Sequence, residues 1–120
     1  MSPLLDVRQV SKRFGGLQAL HSVSLQTERE ILGLIGPNGA GKTTLFNIIS
    51  GFLPATSGKV YYNGRPIHGL RPHEIVALGL ARTFQIVRPF GDLTVLENVL
   101  SGSGLHYYPS WRAFAERFRT

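Results

Sequence analysis

The sequence predicts an α/β fold in which a buried strand delivers a glycine-dense loop to the start of a helix. Three adjacent stretches carry this expectation. Ile31-Leu32-Gly33-Leu34-Ile35 is a continuous apolar run bounded by glycine. That is the pattern of a strand covered on both faces, as at the centre of a parallel sheet. Residues 36–41 hold three glycines and a proline in six positions, which reads as a loop. Residues 42–50 then place Leu45, Ile48 and Ile49 on one face at helical spacing. Gly51, with Pro54 beyond it, supplies the stop.

The remaining elements follow from the same two periodicities. Leu5 and Val7 alternate with Asp6 and Arg8, predicting a half-buried strand over residues 4–10. Gly15-Gly16 closes the stretch with a turn signal, and Val23 and Leu25 alternate with Ser22, Ser24 and Gln26 in a second strand. Residues 59–62 predict a short strand, ended by Asn63-Gly64, a strong tight-turn dipeptide. Residues 72–78 predict a short helix with Pro72 in its first turn. Residues 80–84 return as a strand. Residues 94–100 predict a helix with Thr94 as N-cap and Glu97 three positions on, a capping-box arrangement. Trp111, Phe114, Ala115 and Phe118 fall at i, i+3, i+4 and i+7, an amphipathic helix over residues 111–119 with Ser110 as its N-cap. No internal repeat and no low-complexity segment interrupts this order.

Composition narrows the chemistry. The 120 residues suffice for one domain with a modest core, and 42% hydrophobic with 17% charged residues is an ordinary globular balance. There is no cysteine, which excludes disulfides, thiolate metal sites and a cysteine nucleophile. No stretch reaches the ~18 apolar residues of a membrane span. Asp6 and Arg8 break what would have to be the apolar core of a secretory signal. The expected location is cytoplasmic. A net charge of +6 suits an anionic partner, but the cations are spread along the chain without a block of five, so charge alone assigns nothing. The four histidines are scattered singly and read as structural or exposed.

Gly36-Pro37-Asn38-Gly39-Ala40-Gly41-Lys42-Thr43 fits the spacing G-x-x-x-x-G-K-[ST]. A triphosphate packs several negative charges into a small volume. A loop can hold it by turning successive backbone N–H groups inward, which needs backbone angles and close approach that glycine allows at Gly36, Gly39 and Gly41. The helix opening at Lys42 adds free N–H groups and the positive end of its dipole. Lys42 reaches the β- and γ-phosphates as a mobile charge, and the Thr43 hydroxyl can ligate Mg²⁺. A chance match in this length arises on the order of a few times in a thousand. The pattern alone does not separate ATPases from GTPases or small-molecule kinases.

The flanking residues do. Gly-Pro-Asn-Gly-Ala-Gly-Lys-Thr-Thr at 36–44 resembles the Walker A motif of ABC-transporter nucleotide-binding subunits, which implies nucleotide contacts from Gly36, Pro37, Asn38, Gly39, Ala40, Gly41, Lys42, Thr43 and Thr44. Lys12-Arg13-Phe14-Gly15-Gly16 resembles the adenine-stacking loop, with Phe14 as the aromatic. Ala81-Arg82-Thr83-Phe84-Gln85 resembles the Q-loop, and Thr94-Val95-Leu96-Glu97-Asn98-Val99 the start of the helical subdomain. The pairing of Arg-Phe-Gly-Gly with Ala-Arg-Thr-Phe-Gln is most similar to importers of branched-chain amino acids. The resemblance implies the N-terminal portion of an ABC nucleotide-binding domain of the P-loop NTPase fold. It would comprise a P-loop core with an antiparallel β subdomain over residues 1–85 and a truncated start of the helical subdomain over 86–120. It implies ATP and Mg²⁺ as ligands, Lys42 and Gln85 as catalytic groups, and Thr43 and Gln85 as metal contacts. The implied partners are the transmembrane permease subunits and a second ATP-binding subunit, on the inner face of the plasma membrane, with no nucleic acid.

The sequence also departs from that pattern. No run of four apolar residues ends in Asp-Glu, so the Walker B aspartate and catalytic glutamate are missing, and no switch histidine follows. Leu100-Ser101-Gly102-Ser103-Gly104 is a superficial likeness of the signature motif that comes too early and ends in glycine, not glutamine. Arg29-Glu30 stands where the family usually has Gly-Glu. Phosphoryl transfer needs metal, water and charge managed together, so little ATPase activity is expected of this chain alone. A marginal, aggregation-prone fold is expected with it. Two further readings stay open: a non-hydrolysing nucleotide-binding fragment, and an ABC-type ATPase acting on DNA.

Overall fold

The computed structural model describes residues 2–102. The predicted helix over 111–119 lies outside the described residues. The chain divides into two compact units, one ending at Arg82 and the other beginning at Thr83.

The first unit is built on a four-stranded antiparallel sheet in the order β2-β1-β3-β4. Its strands are β1 (Leu5–Phe14), β2 (Leu17–Thr27), β3 (Ser57–Tyr62) and β4 (Arg65–Pro66). Strand β1 pairs with β2 across the Gly15-Gly16 turn, Phe14 opposite Leu17, and with β3 on its other side, Val7 opposite Val60. The alternation that marks β1 slips after Val7, because Gln9 takes a left-handed φ of 48° and the register shifts there. The next inward residue is therefore Val10, three positions on. Gly58 fits against this bulge. A Cβ on it would lie 2.5 Å from Gln9 O, so only glycine lets β3 pass so close. Asn63 and Gly64, at φ 50° and 76°, make the predicted tight turn into β4.

Helix α1 (Lys42–Ile49) buries Leu45, Ile48 and Ile49, as its spacing predicts. It ends in a Schellman motif: Gly51 at φ 84° donates to Ile48 O at 3.3 Å, and Phe52 N donates to Asn47 O at 2.8 Å. Helix α2 (Pro72–Ala77) contributes Ile75. The core joins Val7, Val10, Leu20 and Val60 of the sheet to the buried residues of α1, with Ile67 and Ile75.

The structure corrects two elements. Residues 31–35 form no strand: Ile31 is 102% exposed and Ile35 96%. Residues 80–84 form none either. The physical reason is shared. An interior parallel strand needs a hydrogen-bonding neighbour on each edge, and no described segment lies beside either stretch as one. In the second unit, helix α3 (Val95–Ser101) carries the predicted cap. Thr94 Oγ1 accepts from Glu97 N at 3.2 Å, and Thr94 N donates to Glu97 Oε2 at 2.7 Å. The Leu100–Gly102 stretch is the end of this helix, with Gly102 as its C-cap.

Candidate functional site

Pro37 to Gly41 make the bend that precedes α1. Ala40 N donates to Pro37 O at 3.1 Å, closing a tight turn with Gly39 at φ 85°. Gly41 follows at φ 97° as the N-cap residue of α1. The two glycines are required for different reasons. Space around Gly39 is open, so only its backbone angle excludes other residues. A Cβ on Gly41 would also lie 2.7 Å from Leu20 Cδ2 and 2.8 Å from Ala19 O. Gly36 has ordinary φ but little room, with Ala40 Cβ 3.2 Å from its would-be Cβ.

The helix start carries positive potential with nothing of its own to offset it. No side chain caps it, and its first turn has no acidic residue. Lys42 Nζ folds back over the bend and donates to Gly36 O and, at 2.8 Å, to Pro37 O. The ammonium thus already sits at the mouth of the bend.

A cleft of about 470 Å³ opens beside the loop, within the usual range for small-molecule sites. Its walls include Phe14, Asn38, Gly39, Gly41, Lys42, Thr43 and Thr44. The β1–β2 hairpin brings Phe14 there, at its tip, with the residue 44% exposed and Lys12 Nζ 5.1 Å from the ring centroid. Gly36, Pro37 and Ala40 shape the bend without lining the cleft. Gln85 is exposed and belongs to the second unit.

Two features were not anticipated from sequence. Leu17, Gln18 and Ala19 of β2 also line the cleft. The Gly15-Gly16 turn was their signal, since a hairpin tip must present residues from both strands. The other is a tie from Arg82 to Asn47 and Ser50 at the far end of α1.

These residues fit a magnesium-bound nucleotide. The cleft joins an exposed aromatic face, a lysine, two threonine hydroxyls and an uncapped helix start, and among the described residues no carboxylate lines it to repel phosphate. Among the described residues no group of three or more His, Cys, Asp or Glu side chains could hold a metal ion alone. A cation here would be shared with the phosphates, as Mg²⁺ commonly is.

The family model described as ABC transporter matches residues 20–119. The chain belongs to the ABC transporter family. Among its relatives, the high-affinity branched-chain amino acid transport ATP-binding protein LivG of Salmonella typhimurium is 52% identical over 99 residues, covering 82% of this chain and 39% of LivG. The crystal structure of the ADP conformation of MJ1267, an ATP-binding cassette of an ABC transporter, superposes with a TM-score of 0.77 at 35% identity. That match covers 100% of this chain and 47% of MJ1267. The dimeric post-hydrolysis structure of the ATP-binding cassette MJ0796, bound to ADP and Pi, gives a TM-score of 0.72 at 28% identity over 94% of this chain and 53% of that one. The fold is therefore that of an ABC ATPase. The chain spans 38% to 48% of the length of the curated branched-chain relatives it matches. Among the described residues of this ABC-family chain, no helix is long and apolar enough to cross a membrane.

Proposed function

We propose that this chain carries the nucleotide-phosphate site of an ATP-binding subunit of an ABC importer for branched-chain amino acids. The observation that carries the reading is the convergence of the glycine bend, Lys42 and the uncapped start of α1 on one cleft that also exposes Phe14. The loop and helix N–H groups bind phosphate oxygens, and Lys42 moves from the loop carbonyls to the β- and γ-phosphates. Phe14 offers its ring to adenine, a contact worth ~1–3 kcal/mol where bases stack on aromatics. Thr43 would hold Mg²⁺ from the helix start, with Gln85 as the second proposed metal contact through its side-chain carbonyl. The relatives named for branched-chain amino acid transport support the substrate class.

Permease subunits and a second ATP-binding subunit are the proposed partners, and the inner membrane face is the proposed location. No nucleic acid is expected. This chain has no Asp-Glu after an apolar run to hold the metal's far side and orient water. We therefore expect ATP binding with turnover near background for the chain alone.

The test is titration with a fluorescent adenine nucleotide in the presence of magnesium. A lost charge-assisted contact is worth ~1.5–3 kcal/mol, so Lys42→Ala should weaken binding by about one to two decades. Equal affinity in the variant, or no binding by the unmodified chain, would overturn the reading.

A further inference from the structure

Helix α1 has two ends, and the phosphate loop accounts for only one. Its last turn carries no basic residue to meet the negative end of the dipole. A cation arrives there from far along the chain. Arg82 Nη1 donates to Asn47 Oδ1 at 2.5 Å and to Ser50 Oγ at 3.1 Å. Its guanidinium carbon lies 5.9 Å from the centre of the Phe52 ring. Ser50, the buried C-cap residue, passes the connection inward by donating from Oγ to Phe46 O at 2.5 Å. One side chain therefore grips the last turn of α1, its cap and the residue that completes the Schellman turn. A guanidinium held only by solvent would meet none of these.

Arg82 is also the last residue of the first unit, and Gln85 follows three positions later. Three residues span at most ~10 Å of extended chain. Anchoring Arg82 thus confines the volume that Gln85 can sample, and a shorter tether raises the effective concentration of the group it carries.

We infer that Arg82 is a positioning residue for the nucleotide site. It fastens the chain just ahead of Gln85 to the C-terminal end of the helix whose N-terminal end faces the phosphates. The inference rests on the nucleotide reading proposed above, in which Gln85 contributes to Mg²⁺. It assigns no contact between Arg82 and nucleotide. A rigid helix of ~12 Å links the two sites.

The experiment compares affinity for a fluorescent ATP analogue in saturating magnesium and in EDTA. The ratio of the two is the magnesium increment. It is read for the unmodified chain, Arg82→Ala, Arg82→Lys, Asn47→Ala, Gln85→Ala and the double variant Arg82→Ala/Gln85→Ala. Arg82→Ala should cut the increment at least about fivefold, the lower end of measured couplings between sites, while affinity in EDTA stays within about twofold. Arg82→Lys should restore part of the increment, Asn47→Ala should lower it, and the double variant should lose no more than Gln85→Ala alone. An increment untouched by Arg82→Ala overturns the proposal, as does a double variant whose losses multiply. Equal losses with and without magnesium also overturn it, because they report a general loosening of the fold. If Arg82→Ala does not fold, Arg82→Lys and Asn47→Ala decide on the same criteria. An unmodified chain that binds nucleotide with no magnesium increment fails at the underlying reading of Gln85, and Arg82 then has nothing to position.

Discussion

Gly39 and Gly41 sit two residues apart in the same bend, yet they should respond differently to an added methyl group. At Gly39, with φ 85° and open space, alanine meets only backbone strain, roughly 1–3 kcal/mol. At Gly41 the strain comes with a clash 2.8 Å from the Ala19 carbonyl, a backbone atom that cannot rotate away. Urea unfolding should place Gly41→Ala below Gly39→Ala by about 1–3 kcal/mol, and equal costs would refute the packing argument. A second residue-level case concerns acid. Asp6 is 3% exposed, and Arg8 Nε donates to its Oδ2 at 2.7 Å while Gln26 Nε2 donates to Oδ1 at 3.2 Å. The hydrogen bond from Arg8 is the main cause that lowers the Asp6 pKa, against the opposing effect of burial. A carboxyl whose folded value lies below its ordinary one of about 3.9 stabilises the fold above that pH. The contribution fades as pH falls through the folded value. Melting temperature should therefore drop on acidification below about pH 4, and Asp6→Asn should flatten that limb; an unchanged limb counts against the assignment. At this scale the glycine bend before α1 was legible in the sequence, because glycine spacing and a following lysine encode backbone angles and charge directly. The Arg82 tie was not, since nothing local links residue 82 to residue 47.

Among the elements, α3 offers the cleanest test of a local rule. Thr94 caps it, and Asn98 fastens it to the loop ahead by donating from Nδ2 to Phe90 O and Leu93 O while accepting from Phe90 N at 2.8 Å. Thr94→Ala should remove about 1 kcal/mol of protection from the amides of α3 in hydrogen exchange. The amides of β1 and β3 should not change, and a matching loss there would mean that the cap supports more than its own helix. The capped helix and the Asn-Gly turn were read correctly because their signals are contained in four or five residues. The strand predicted over 31–35 was not, because an apolar run states only that burial is wanted. Whether it pairs depends on neighbours elsewhere in the chain. The length of β1 was underestimated for a different reason. A bulge at Gln9 breaks the two-residue period, so the pattern ends at Val10 while the strand runs on to Phe14.

For the molecule as a whole, the first unit leaves Ile31, Leu32, Leu34 and Ile35 exposed, and Leu32 and Leu34 line a groove of about 400 Å³ together with Leu25, Leu45 and Ile49, among others. Apolar surface of this kind favours association. The isolated chain should bind a hydrophobic dye such as ANS and scatter light increasingly with concentration. A clear, dye-silent solution at high concentration would contradict that expectation. The cleft has a different consequence at the same scale. Its aromatic wall hangs from the hairpin tip and its floor from the bend before α1, so the two sides belong to segments separated by more than twenty residues of chain. A molecule that touches both acts as a removable cross-link. At a hundred times its dissociation constant such a guest adds about 2.7 kcal/mol to the folded state. Any guest held by both segments would therefore make this chain harder to unfold as its concentration rises past the dissociation constant.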